Sequence, residues 1–148
     1  MQRIDVSAHS AAPLERVWAL LADARGWPDW TPLAAAELER EGSPPPDGVG
    51  AIRRFTYGKT VTRECIVAFE PPHWLAYQML SGLPVRDYRA DVTLQPVPDG
   101  GTAIRWQIHF EPLFPGLGWL VRRRLEPFIG DVAQRLARQA EATPPATV

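Results

Sequence analysis

Hydrophobic and polar positions alternate from the first residues of the chain. Ile4, Val6 and Ala8 fall on one side, and Arg3, Asp5 and Ser7 on the other, as in a half-buried strand. The period then lengthens. In SAAPLERVWALLAD, Leu14, Val17, Trp18 and Leu21 recur at helical spacing, with Ser10 placed to cap and Pro13 in the first turn, which predicts a helix. Asp23, Gly26 and Pro28 break it around RGWPDWTP, residues 25–32, where a short second helical turn is expected. SPPPDGVG, residues 43–50, is a loop by composition, stiffened by prolines and reversed by glycines.

From residue 51 the pattern is that of successive antiparallel strands. AIRRFTY and TVTRECIVAF are separated only by Gly58-Lys59, a two-residue hairpin signal. Residues 70–73 turn the chain into WLAYQML, and SGLP turns it again. In VRDYRADVTLQPV, Tyr88, Ala90, Val92 and Leu94 alternate with charged and polar neighbours. Asp99-Gly100-Gly101 leads into TAIRWQIHFEP, where Ile104, Trp106, Ile108 and Phe110 share a face opposite Arg105, Gln107, His109 and Glu111. One face of the sheet is thus apolar and aromatic, the other charged and wet.

Residues 116–140 read as a long helix. At ~100° per residue, Leu117, Val121, Leu125, Phe128, Val132 and Leu136 form one apolar stripe. Pro127 removes a backbone hydrogen bond, so the helix is expected either to kink there or to split into a short and a longer segment. Residues 1–140 then make a single domain, and 141–148 a flexible tail. Strands joined by short turns, with helices at both ends of the order, give an α+β fold in which the last helix lies across the apolar face of an antiparallel sheet. A curved sheet wrapped round a helix rarely fills completely, and the gap becomes a pocket.

Composition narrows the function. A net charge of −1 gives no electrostatic footprint for nucleic acid. No apolar stretch approaches the ~20 residues of a membrane span, and MQRIDVSAHS lacks the apolar core of a signal peptide, so a cytoplasmic protein is expected. The single cysteine, Cys65, excludes an intramolecular disulfide and a Cys-rich zinc site and is expected to be a small buried hydrophobe. His9, His73 and His109 have no metal-ligand spacing and read as surface or structural residues. Neither a metal nor a cofactor is called for. No nucleophile elbow, dinucleotide fingerprint or phosphate loop is present.

The opening strand followed by AAPLERVWALLADARGWPDWTP, then DGVGAIRRF, VAFEPPHWLAYQM and GGTAIRWQIHFEPLFPG before a closing helix, resembles the START-like (SRPBCC) superfamily, in particular its polyketide cyclase/dehydrase-like branch. The resemblance covers residues 2–138. It implies a helix-grip fold, a curved antiparallel sheet wrapped around a long C-terminal helix, with an internal hydrophobic cavity.

The expected lining of that cavity is Trp30, Phe55, Tyr57, Tyr77, Met79, Tyr88, Trp106, Phe110, Leu125 and Phe128, with Arg124 at its border. Trp27 and Trp30 sit on the proline-locked turn at one end of the sheet. Either both seal the core, or one plugs the cavity while the other packs on the neighbouring helix, Trp30 being the cavity residue of the two. Tyr88 brings a hydroxyl to a wall of carbon. In TVTRECIVAF, either Arg63, Cys65 and Val67 or Glu64 and Ile66 point inward; an inward Glu64 is a polar anchor or general base. Arg122, Arg123 and Arg124 sweep about 200° of helix and cannot form one basic face. Arg124 either reaches an anionic group at the mouth or snorkels over apolar surface to a carboxylate.

Three functions fit these features. The first is binding of a small hydrophobic lipid-, aromatic- or polyketide-like molecule. The second is a cyclase or aromatase-like enzyme working in the same cavity. The third is an interaction or dimerisation module with a filled core, a homodimer being one form open to it, though the sequence does not fix the oligomeric state.

Overall fold

In a computed structural model, the structure describes residues 1–142. The order is β1 (Gln2–Ser10), α1 (Leu14–Ala22), a 3-10 segment (Ala24–Asp29), β2 (Ala35–Arg40), β3 (Ile52–Tyr57), β4 (Thr60–Glu70), β5 (Trp74–Ser81), β6 (Val85–Pro96), β7 (Thr102–Pro112) and α2 (Gly118–Ala142). The strands form one seven-stranded sheet in the order β1-β7-β6-β5-β4-β3-β2, every neighbouring pair antiparallel.

Register follows the alternation in the sequence. Ala90, Val92 and Leu94 of β6 face Ile108, Trp106 and Ile104 of β7, and all six side chains are buried. The opposite face carries ion pairs such as Asp5–Arg105 and Arg89–Asp91. Irregular pairing at Arg63/Glu64, at Ile66/Ala68 and at Arg86/Arg89 adds the local twist by which bulges bend a sheet. Gly58, with φ 58°, turns the β3–β4 hairpin where the sequence places it.

α2 is continuous through Pro127. It extends to Ala142, so the first two residues of the expected tail are helical, and 143–148 lie outside the described residues. The two halves of α2 behave differently. Ile129, Val132, Ala133, Leu136, Ala137 and Ala140 are buried, and the three alanines allow close approach to the sheet. The Ser10 hydroxyl donates to the Ala137 carbonyl at 2.8 Å, and the Ala11 N–H donates to Glu141 Oε2 at 2.9 Å. Nearer the start, Trp119 and Leu120 are exposed, and Val121, Leu125 and Phe128 are only half-buried. The C-terminal half anchors the helix; the N-terminal half roofs an open space.

Candidate functional site

Beneath that roof lies a cavity of about 520 Å³, inside the ~300–1,000 Å³ range of small-molecule sites. Trp27, Phe55, Glu64, Tyr77, Tyr88 and Trp106 line its closed end, all buried. Tyr57, Thr60, Pro84, Leu120 and Arg124 line it too but are exposed, and so mark the mouth. The Tyr57 ring meets Phe128 of the roof edge-on at 5.1 Å. The inner end is a set of planar walls. Trp27 stacks on Phe55 with centroids 4.9 Å apart and an interplanar angle of 15°, and meets Trp106 at 6.0 Å. The Trp27 indole is fixed by donating to the Leu21 carbonyl at 3.0 Å.

One ion pair is buried at this end. Arg53 on β3 is fully covered, and its Nη2 donates to Glu64 Oε1 at 3.0 Å. Its guanidinium carbon lies 4.9, 5.1 and 4.8 Å from the ring centroids of Trp27, Phe55 and Tyr77, close enough for cation–π attraction. Nε and Nη1 have no acceptor among the described residues, and the rings take the place of one. Burial pushes the Glu64 carboxyl above its ordinary range, against the charge and hydrogen bond of Arg53, which favour the ionised form. Tyr77 and Tyr88 are likewise pushed up, first by burial; the Glu64 charge adds to this at Tyr77, where Arg53, Trp106 and Tyr88 oppose it, and Tyr77 and then Glu64 add to it at Tyr88. The Tyr77 oxygen takes the Trp106 indole N–H at 3.2 Å, and the Tyr88 ring lies 6.5 Å from that of Tyr77.

Of the residues expected to line a cavity, Phe55, Tyr57, Tyr77, Met79, Tyr88, Trp106, Arg124, Leu125 and Phe128 do so. The open question on β4 resolves to Glu64 and Ile66 inward, while Arg63 bonds Glu39 outside the sheet. Two expected lining residues are elsewhere. Trp30 is buried against the other side of Trp27, at 5.3 Å, because the 3-10 segment and the Leu21 bond bring Trp27 forward over Phe55. Phe110 has the predicted inward face, but the Tyr88 ring stacks on it at 6.1 Å, and it is not among the lining residues. Cys65 is half-buried on the outer side rather than fully buried. Arg123 lies over Trp119, and Arg122 pairs with Glu126 and bonds the Arg3 carbonyl.

The sequence favoured Trp30 where the structure uses Trp27, did not single out Arg53, and did not name lining residues such as Leu33, Thr62, Leu83 and Val121. A signal for Arg53 existed: in AIRRFTY, an inward Phe55 and Tyr57 carry Arg53 inward with them at a period of two. Among the described residues no group of three or more His, Cys, Asp or Glu side chains could hold a metal ion, and no helix is long and apolar enough to cross a membrane.

The family model described as polyketide cyclase / dehydrase and lipid transport matches residues 1–141. No curated protein is significantly similar to the chain. Solved structures give the same fold. The Zhui aromatase/cyclase from Streptomyces sp. R1128 superposes with a TM-score of 0.81 at 17% identity, over 95% of this chain and 93% of that one. A START superfamily protein from Mycobacterium smegmatis gives 0.79 at 14%, over 95% and 97%. Norcoclaurine synthase from Thalictrum flavum, in complex with dopamine and hydroxybenzaldehyde, gives 0.77 at 19%, over 98% and 89%. At these identities the likeness establishes the START-like helix-grip architecture and leaves the chemistry to the residues of the cavity.

Proposed function

Because the chain belongs to the polyketide cyclase/dehydrase and lipid transport family, we propose that its cavity binds a small hydrophobic molecule, aromatic or polyketide-like in shape. One observation carries this reading: a cavity of about 520 Å³ with walls of aromatic and aliphatic carbon and a single buried carboxylate. Burial of ligand surface supplies the affinity, at ~25 cal/mol per Å² of apolar area. The same cavity counts against a side-chain-filled interaction module, whose interior would be packed.

Native mass spectrometry of gently purified protein, followed by solvent extraction, tests the reading. A stoichiometric adduct, or a melting temperature raised by added hydrophobic ligands, is expected. A ligand-free mass together with no change in melting temperature or in the fluorescence of Trp27 and Trp106 across a panel of such ligands would sink it.

A second reading, catalysis, is favoured by the placing of Glu64 beside Tyr77 and Tyr88 at the buried inner end of the cavity. A buried carboxylate of raised pKa is suited to accept a proton from carbon next to a carbonyl. This reading predicts faster exchange of the central protons of a bound 1,3-diketone with deuterated solvent, followed by NMR. The acceleration disappears in Glu64→Gln.

A further inference from the structure

The cavity has one carboxylate at its inner end, and its charge and pairing are fixed by the protein around it. Glu64 lines the cavity with only 7% of its surface exposed. Its Oε1 is taken by Arg53, and Oε2 receives no hydrogen bond from the described residues. Arg53, which supplies the opposite charge, is fully buried under three rings and does not line the cavity. A ligand therefore meets the carboxylate and not the guanidinium. Tyr77 and Tyr88 line the same end, and the Tyr77 oxygen accepts the Trp106 indole N–H.

From this arrangement we infer that the site selects a planar aromatic ligand with a neutral hydroxyl at its buried end, donating to Glu64 Oε2, and rejects a ligand with a carboxylate there. The inference rests on the cavity reading above and adds the chemical class of the ligand. Three physical steps lead to it. An anionic head meets the negative oxygen and cannot reach the cation behind it. A cationic head adds a third charge to a pair that already sums to zero, and its desolvation goes uncompensated. A neutral hydroxyl satisfies the free oxygen with a charge-assisted hydrogen bond, while Trp27, Phe55 and Trp106 give its ring flat faces to pack on.

Three probes of one ring system separate the terms: 2-naphthol donates, 2-acetonaphthone only accepts, and 2-naphthoate is an anion. Titration calorimetry on the wild-type protein at neutral pH is expected to show 2-naphthol bound tightest. Its advantage over 2-acetonaphthone should be roughly tenfold to a hundredfold, the range for a hydrogen bond to a charged group. In Glu64→Gln the amide oxygen still serves Arg53, and the amide nitrogen turns a donor toward the cavity. The preference should then shrink below threefold or reverse.

Equal binding of the three probes by the wild type, or tightest binding of 2-acetonaphthone or 2-naphthoate, overturns the selection and leaves the cavity reading standing. Binding of none of the three overturns both. A Glu64→Gln protein that is folded by circular dichroism and keeps the full preference for 2-naphthol also refutes the inference. The wild-type series decides on its own if the variant does not fold.

Discussion

Replacing either partner of the Arg53–Glu64 pair should reveal how strongly the inner end of the cavity is tied together. Glu64→Met keeps the approximate volume but leaves a guanidinium that is fully buried with no acceptor for any of its donors. Breaking a buried pair in this way costs about 3–5 kcal/mol. For a chain of 148 residues, each kcal/mol corresponds to roughly 2–4 °C, so the melting temperature should fall by about 6–20 °C. Arg53→Met leaves a carboxylate whose pKa burial already raises, and it should cost less at pH 5, where that group can take up a proton, than at pH 8.

The double variant removes both charges together. Well-packed apolar replacements of buried pairs are often neutral or stabilising by about 1–4 kcal/mol. Against that stands the loss of the three ring contacts of Arg53, about 2 kcal/mol for desolvated cation–π attraction. The double variant should therefore fall within about 2 kcal/mol of the wild type, giving a large favourable coupling between the two changes. Urea unfolding followed by circular dichroism, with equal m-values across the set, measures each term. If the single effects add to within about 0.5 kcal/mol, the two groups do not act as a pair and the reasoning fails.

The raised pKa of Glu64 makes a signed prediction. Between its ordinary value of 4.5 and its higher native value, the folded protein holds a proton that the unfolded chain has released, so unfolding free energy falls as pH rises through that window. Relative to Glu64→Gln, the wild type should be at its best below pH 4.5 and lose ground above it; a wild-type advantage that grows with pH in urea titrations refutes the assignment. In α2, Leu136→Ala in the anchoring half should cost about 2–5 kcal/mol, whereas Leu120→Ala in the roof should stay within about 0.5 kcal/mol, both read by urea midpoint. Gly82 has φ 124°, and a Cβ there would lie 2.5 Å from the Val61 carbonyl oxygen, while Gly58 with φ 58° has open space around it. Gly82→Ala should therefore lower the melting temperature more than Gly58→Ala, and the reverse order would show that conformation alone decides.

Strands with one dry and one wet face could be read directly from the sequence, because burial itself writes the alternation. β6 and β7 are of this kind, and so is the apolar stripe of α2. β2 is different. Ala35, Ala36, Glu37, Leu38, Glu39 and Arg40 lie at the edge of the sheet with mostly exposed side chains, so nothing in their order separates strand from helix.

Within the site, the tryptophan choice turned on a 3-10 segment of six residues, too short for any period to show which ring faces the cavity. Phe110 was placed on the correct face, yet alternation says nothing of which neighbouring ring lies above it. Arg53 escaped for a chemical reason. A charged residue is ordinarily read as outward, and only its partner eleven residues away together with three aromatic faces makes burial tolerable.

The division of α2 into an anchored half and a roofing half separates two demands that a binding protein usually has to meet with the same residues. Substitutions at Leu120, Val121, Arg124 and Leu125 reshape the mouth of the cavity while the packing that holds the helix lies beyond Phe128. Under the binding function proposed above, a lineage carrying this chain could change its cargo through a handful of positions that folding hardly registers, while the buried pair at the far end stayed the same.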